Sequence, residues 1–449
     1  MVIGYLIFIF GKGVSKAKQI QTTDDFLVAG RNVGWWLLFA TMGATVIGGG
    51  YSIGAVARTY ELGLLWVLIS VAGYLQFIFS GLVVAPKFRE AKLYTVAGYF
   101  GHRFGERPRQ VALILSLVFS VFIIAAQMAA FGSVLSTLMP SAAEGGFDLR
   151  WVILIGGAMV IIYSTAGGLL AVIYTDIYQF IVLFVGFAVT LFIGLPDIVS
   201  SWGHIQDMMP ESFFSATGTK GWIFLITTFF AFLMGETFAP GYATRFCIGR
   251  DIAHTKKGIA GIGFFLALTF PVILFFIALY ARVHHPGLEP QLALGVVVKQ
   301  LHNPFFAGLI IAALLSAVMS SADSALNSCT AIFVKDIFQH QFGWQARGDK
   351  QLLRWARYCT IGVGVFATLI AFFWPDIIGL LLFTYHIWAP GIILPIVIGA
   401  MTKKHSPQLT KAIFLTMVIS VISTMVYRTF TAADSFDPAV FGVLVSILV

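Results

Sequence analysis

Charged residues are scarce in this sequence. Asp, Glu, Lys and Arg make up only 11% of the 449 residues, whereas 59% are hydrophobic and the mean hydropathy is +0.91. Soluble domains carry about 25% charged residues. The scarcity therefore excludes ordinary soluble enzymes, disordered proteins and coiled coils. Long continuous apolar runs favour an all-α polytopic membrane protein in a lipid bilayer, because a barrel would alternate polar and apolar positions in short strands.

Cysteines and targeting signals are sparse as well. The spacing of Cys247, Cys329 and Cys359 matches no metal or disulfide framework, so we expect them to be packing residues. The first apolar run has no basic residue before it and no small-residue cleavage site after it, so no cleavable signal peptide is expected. The formal net charge of +8 is typical of basic cytoplasmic loops. No nucleic-acid partner is therefore expected.

Thirteen apolar segments follow one another along the chain. The first and the last are shorter than the ~20 residues that a helix needs to cross the hydrocarbon core. We expect either a chain trimmed at both ends or two helices that are only partly represented. The segments lie near residues 1–11, 33–57, 61–86, 111–138, 151–171, 174–195, 221–240, 258–281, 305–331, 355–374, 377–400, 410–428 and 438–449.

Lysine and arginine are distributed unevenly over the loops between these segments. Of the 28 basic residues, 22 fall in alternate loops on one side, Arg245 among them, and 6 fall on the other side. Cytoplasmic loops hold the excess of Lys and Arg. The bias therefore predicts a multi-pass protein of the inner (plasma) membrane with its N-terminus outside.

Two of the apolar segments contain residues that interrupt a helix. Thr45–Tyr51 includes three consecutive glycines, and Gly235–Gly241 includes a carboxylate and a proline. The first interruption opens a set of five segments and the second opens the next five, so the two sets have opposite orientations. Interrupted helices at matching places in two inverted halves indicate a transporter binding site. The alternative is a pair of kinked helices that pack closely against their neighbours.

The most polar stretch within any segment is Ala317–Ser328. Its face of Ala317, Ser320, Ser321, Ser324 and Ser328 follows helical spacing, and Asp323 lies among these residues. The stretch offers only oxygen ligands, and unwound carbonyls of Ala44–Ile47 can add to them. Oxygen ligands suit a hard cation, so sodium fits, with protonation of a carboxylate as the competitor. Asp176 is a second acid, for which a helix cap is the alternative interpretation.

Three motifs together resemble the sodium:solute symporter family. They are Asp24–Arg31, Ala166–Asp176 and Met319–Asn327, and the resemblance covers nearly the whole chain. It implies a LeuT-type fold with five-plus-five inverted repeats and extra flanking helices. The implied domains are a partial N-terminal flanking helix with a cytoplasmic loop (1–32), a transporter core (33–400, with repeats 33–195 and 221–400) and C-terminal flanking helices (401–449).

The resemblance also implies two cation sites. The main sodium site would use the carbonyls of Ala44, Ile47 and Ala317 and the hydroxyls of Ser320 and Ser321. A second site, present in some members, would use Asp176, Ser320, Asp323 and Ser324, and Asp323 stands where those members have a hydroxyl residue. The sequences of the first interruption and of the serine stretch are most similar to those of the high-affinity choline transporter branch. That branch has a tryptophan cage, and the matching positions here are Val46, Ile123 and Ala239.

Candidate residues for the solute lie near the middle of the membrane. Gln127 is consistent with either solute binding or an interhelical hydrogen bond. Glu236 could bind a cationic group, carry a proton or pair with Arg245. The aromatic residues before Ala389 could line a gate or form an interfacial belt. The candidates are Gly50, Tyr51, Gln127, Glu236, Phe238, Tyr242, Tyr385, His386 and Trp388.

The expected function is sodium-coupled symport of a small polar organic solute, amino-acid-like or cationic, by alternating access. The alternatives are a proton-coupled transporter and a membrane sensor that binds solute without moving it. No catalytic pair lies within a segment, so the protein is not expected to be an enzyme. Sodium is the expected coupling ion, with no organic cofactor and no transition metal, and no obligate protein partner is indicated.

Overall fold

The computed structural model describes residues 2–17, 27–139, 147–344, 348–402, 406–431 and 436–449. The start of the Asp24–Arg31 motif (24–26) and the basic residues Lys18, Arg347, Lys403 and Lys404 lie outside this part of the chain. Within it, the secondary structure is helical apart from turns and a single isolated β-bridge between Val33 and Gly249.

The first half of the chain forms seven helices of more than three residues within the described residues, and a short 3₁₀ helix at Ala29–Arg31. Helix α3 begins with a π turn, Gly50–Gly54. The helices are α1 (Val2–Ala17), α2 (Trp35–Val46), α3 (Gly50–Leu62), α4 (Leu64–Glu90), α5 (Val96–Phe104), α6 (Glu106–Ser136) and α7 (Leu149–Ser200).

The second half forms eleven further helices of more than three residues within the described residues, and a short 3₁₀ helix at Pro290–Leu292. Helix α14 ends in a π-helical stretch, Ile332–Gln341. The helices are α8 (Trp202–Met208), α9 (Glu211–Phe214), α10 (Gly221–Gly235), α11 (Pro240–Phe246), α12 (Ile252–His284), α13 (Ala293–Leu301), α14 (Pro304–Gln341), α15 (Asp349–Phe373), α16 (Ile377–Met401), α17 (Pro407–Phe430) and α18 (Pro438–Leu448).

Helix α14 lies at the centre of the bundle. Every residue from 310 to 331 is buried, as expected for a helix that is surrounded by other helices. Its start is fixed by Asn303, whose side chain accepts hydrogen bonds from the backbone N–H groups of Phe305 and Phe306. By contrast, the outer helices expose large apolar side chains such as Ile162, Phe192, Phe264, Leu268 and Phe366.

Helix α7 is too long to be one straight crossing. Its 52 residues would extend about 78 Å at 1.5 Å per residue. Ser164 contacts Asp323, while Asp176 contacts Ser320. A straight helix would separate Ser164 and Asp176 by about 18 Å, yet both meet the same turn of α14. The chain therefore bends sharply between them, where the sequence predicts the boundary between two segments (151–171 and 174–195).

Both predicted interruptions are confirmed as breaks in a helix. The axes of Trp35–Val46 and Gly50–Leu62 differ by 60°, and those of Gly221–Gly235 and Pro240–Phe246 differ by 50°. In the described residues, 8 helices are long and apolar enough to cross a membrane, or up to 10 if each bent pair counts as one span. The thirteen segments and the domain boundaries stay predictions.

Candidate functional site

The first break frees backbone carbonyls in the middle of the bundle. Helix α2 ends at Val46. Beyond it, among the described residues, the backbone N–H groups of the break donate to Gly43, Gly48 and Gly49 rather than to Ala44 or Ile47. Freed carbonyls in a membrane bundle need another partner, because lipid supplies none. Ala44 and Ile47 therefore present oxygen atoms for a ligand.

The glycines of the break allow close helix contact. A Cβ atom on Gly48 would clash with the Ser321 side chain, and one on Gly49 would clash with Ala130. The backbone N–H of Gly49 donates to Gln127 Oε1 at 2.9 Å. Glycine is needed here because it has no side chain, so that the unwound backbone reaches α6 and α14.

Ser321 joins α14 to the first break. Its Oγ lies 2.8 Å from the carbonyl oxygen of Thr45 and 3.1 Å from that of Ala317. This contact places the predicted residues Ala317 and Ser321 of α14 beside the backbone segment that carries the Ala44 and Ile47 carbonyls. Ser320 is the other predicted hydroxyl ligand, and its hydroxyl donates to Asp176.

Asp176 is part of a buried ion pair that the sequence did not reveal. Its carboxylate accepts hydrogen bonds from Thr41 and Ser320. Arg245 Nη2 lies 3.4 Å from Asp176 Oδ2 and 2.7 Å from Ser324 Oγ, and both charged side chains are 0% exposed. The helix-cap interpretation of Asp176 is wrong, because this residue lies inside α7. The prediction that Arg245 lies in a cytoplasmic loop is also wrong, because it is buried on α11.

Asp323 lies on α14, immediately before Ser324 in the chain. Ser164 donates to its Oδ1. Its Oδ2 has no hydrogen-bond partner among the described residues, although the side chain is buried. The Arg245 guanidinium joins Asp176 to Ser324, the neighbour of Asp323 on α14. The second cation site stays a prediction.

The second break places Glu236 between two tyrosines. Phe238 has a positive φ of 65°, an unfavourable backbone conformation of the kind that persists at functional sites. Tyr385 donates to Glu236 Oε1 at 2.8 Å, and Tyr242 donates to Oε2 at 2.8 Å. Pairing of Glu236 with Arg245, one of the alternatives, is therefore wrong, because the guanidinium is bound to Asp176.

A cavity lies between the two breaks. Five of the predicted substrate residues line it, and so do the three positions matched to the tryptophan cage. The lining residues are Thr45, Val46, Gly48, Gly50, Tyr51, Phe119, Ser120, Ile123, Gln127, Glu236, Ala239, Gly241, Tyr242, Ser321, Ser324, Ala325 and Leu381.

Four other candidates lie outside the cavity wall. Tyr385 donates a hydrogen bond to Glu236. Trp388 donates from Nε1 to the Thr237 carbonyl at 3.0 Å. The ring of Phe238 lies near Phe79, at 6.3 Å between ring centroids. His386 Nε2 lies 3.6 Å from Asp437 Oδ1 at the start of α18.

Some lining residues were missed from the sequence. Phe119 and Leu381 lie in ordinary apolar contexts, so no local signal marks them. The spacing of Ser120, Ile123 and Gln127 follows one face of α6. Because Gln127 is a candidate solute residue, that spacing could have predicted Ser120 as a neighbour on the same face of the helix.

The sequence matches a known family over most of its length. Residues 26–434 match the profile of the Sodium:solute symporter family. The chain belongs to the sodium:solute symporter family.

Two relatives illustrate the range of this family. The chain is 26% identical over 391 residues to High-affinity choline transporter 1 of Drosophila melanogaster, a match that covers 84% of this chain and 62% of the relative. It is 25% identical over 430 residues to High-affinity proline transporter PutP of Bacillus subtilis (strain 168), covering 90% of this chain and 86% of the relative. The chain thus spans less than two thirds of the choline transporter's length.

A solved structure shows the same fold. A Na⁺-coupled sialic acid symporter in a substrate-bound outward-open state aligns with a TM-score of 0.81 at 22% identity, covering 100% of this chain and 95% of that chain. The protein is therefore an all-α membrane protein with the LeuT-type inverted-repeat fold, as the resemblance implied.

Proposed function

We propose that the protein is a sodium-coupled secondary active symporter that imports a small polar organic solute by alternating access. It would act in the inner (plasma) membrane with its N-terminus outside. The observation that carries the proposal is the contact between the first break and α14. The segment that holds the freed carbonyls of Ala44 and Ile47 meets the buried Ser321, whose hydroxyl donates to the Thr45 carbonyl.

The residues at this place fit sodium by their chemistry. Three carbonyl oxygens (Ala44, Ile47, Ala317) and two hydroxyls (Ser320, Ser321) are hard oxygen donors, which suit a hard monovalent cation. No group of three or more His, Cys, Asp or Glu side chains that could hold a transition metal occurs in the described residues. Sodium would be cargo and coupling ion at once.

Coupling between ion and solute follows from the shared backbone segment. The chain that supplies the Ala44 and Ile47 carbonyls continues into Gly48 and Gly50, which line the cavity. Gln127 lines the same cavity and accepts from the Gly49 N–H. A sodium ion that orders this segment would therefore also shape the solute site.

Glu236 favours a solute with a positive group. Its two carboxylate oxygens each accept one phenolic hydrogen bond, and neither is paired with a cation in the described residues. A dianion would meet a like charge in a low-dielectric site, at a cost of several kcal/mol. The positive group of an amine, a quaternary ammonium or a zwitterion would neutralise the Glu236 carboxylate.

Uptake into proteoliposomes tests both parts of the proposal. Purified protein would be supplied with radiolabelled proline, choline, sialic acid or glucose, under an inward sodium gradient or an equal potassium gradient at fixed pH. We expect concentrative uptake of a zwitterionic or cationic solute with sodium only. Uptake that is equal in potassium would contradict sodium coupling and favour the proton-coupled alternative. Binding of solute without accumulation would favour a sensor. Uptake of a sugar or a dianion would contradict the inference that Glu236 favours a positively charged solute group. It would not contradict sodium coupling.

A further inference from the structure

Arg245 is an unusual residue for the middle of a membrane bundle. The guanidinium group is permanently charged, and its side chain is 0% exposed. A charge in this environment is retained when it is paired and marks a functional position by default. Arg245 lies on α11, the half-helix that follows the second break and also carries the cavity residues Gly241 and Tyr242.

The groups around the guanidinium are all oxygen acceptors. Its Nη2 donates to Asp176 Oδ2 at 3.4 Å and to Ser324 Oγ at 2.7 Å, its Nε donates to Thr41 Oγ1 at 3.4 Å, and its Nη1 donates to the Gly241 carbonyl at 3.4 Å. One carboxylate, two hydroxyls and one carbonyl are the set that an alkali cation prefers. The guanidinium therefore fills an oxygen shell suited to a second cation.

We propose that Arg245 is a built-in cation that takes the place of a second sodium ion, so that the protein binds one sodium per transport cycle. This inference rests on the proposed function, because it concerns the stoichiometry of the same ion. It replaces the hypothesis of a second sodium ion at Asp176, Asp323 and Ser324.

The position of Arg245 links the built-in cation to the helices that would move during the transport cycle. It connects α11 to α2, α7 and α14 through Thr41, Asp176 and Ser324. Asp176 in turn accepts from Ser320, a residue of the main sodium site. Movement of α11 would carry a positive charge toward or away from Ser320 without taking up an ion from solution.

Sodium stoichiometry of purified protein tests the proposal. Equilibrium dialysis with radioactive sodium is expected to give one bound sodium per wild-type protein and two per Arg245→Ala protein, because the variant leaves the oxygen shell vacant. The double variant Asp176→Asn/Arg245→Ala lacks the carboxylate as well, and it is expected to return to one sodium.

Chemical rescue provides a readout that does not depend on sodium. Millimolar guanidinium chloride is expected to raise the melting temperature of Arg245→Ala, whereas an equal concentration of potassium chloride should not, and the wild type should respond to neither. If Arg245→Ala does not fold, Arg245→Lys keeps a positive charge at the site and is expected to bind one sodium.

The outcomes separate the two proposals. Two sodium ions in the wild type would overturn the built-in cation, as would one sodium in folded Arg245→Ala with no effect of guanidinium. Two sodium ions in folded Arg245→Lys would also overturn it. No sodium in the wild type would instead overturn the proposed function.

Discussion

The Oγ of Ser321 lies 2.8 Å from the carbonyl oxygen of Thr45. This contact joins the centre of α14 to the point where α2 ends. One residue away on either side of Thr45, the chain carries the freed carbonyl of Ala44 and the cavity residue Val46. The proposed ion site and the proposed solute cavity thus share one unwound segment.

Gly48→Ala tests the close approach at the first break. The added Cβ would clash with the Ser321 side chain, so the break must move away from α14. We expect loss of sodium-dependent uptake, measured in proteoliposomes, with a lowered melting temperature.

Gly362→Ala is the matched control on α15. A Cβ there would meet no heavy atom within 4 Å among the described residues, and alanine is the better helix former. This variant should keep full uptake. Equal uptake by Gly48→Ala and Gly362→Ala would refute the requirement for close approach.

Glu236→Gln tests the charge preference of the cavity. The amide keeps the size of the side chain but removes the negative charge, so a cationic or zwitterionic solute loses its partner. We expect the solute concentration for half-maximal uptake to rise about tenfold or more, equivalent to about 1.4 kcal/mol, with sodium binding changed much less.

Glu289→Gln serves as the control for Glu236→Gln, because Glu289 lies in the loop before α13, outside the cavity. Its solute affinity should equal that of the wild type. A Glu236→Gln protein with unchanged solute affinity would show that this carboxylate does not contact the solute.

Asp176→Asn tests the buried ion pair. The substitution leaves the Arg245 charge without its carboxylate, and removal of one partner of a buried pair costs about 3–5 kcal/mol. We expect a large fall in melting temperature, followed by thermal denaturation of the purified protein.

The double variant Asp176→Asn/Arg245→Gln removes both charges and should recover part of the lost stability. A double-mutant cycle on melting temperature measures this coupling. Additive losses in the cycle would mean that the two side chains do not stabilise each other.

The sequence predicted the two breaks because glycine and proline act locally. A helix is interrupted by the three glycines Gly48–Gly50 and by Pro240 whichever neighbours it packs against. The serine face of α14 was predictable for the same reason, since helical spacing alone puts Ser321 and Ser324 on one side.

The partners of the charged residues were not predictable from spacing. Arg245 is 69 positions from Asp176, and Tyr385 is 149 positions from Glu236. Which helices meet depends on the packing of the whole bundle, which local patterns do not encode. The same reason hid Phe119 and Leu381, whose place in the cavity wall depends on neighbours from other helices.

Sodium binding to purified protein tests the central claim most directly. Equilibrium dialysis with radioactive sodium would compare the wild type with Ser321→Ala and with Ser316→Ala, a buried serine of the same helix that faces an apolar groove. The account predicts that Ser321→Ala raises the sodium concentration for half-saturation several-fold, while Ser316→Ala leaves it unchanged and potassium does not compete. Equal sodium affinity in all three proteins, or equal competition by potassium, would contradict the account.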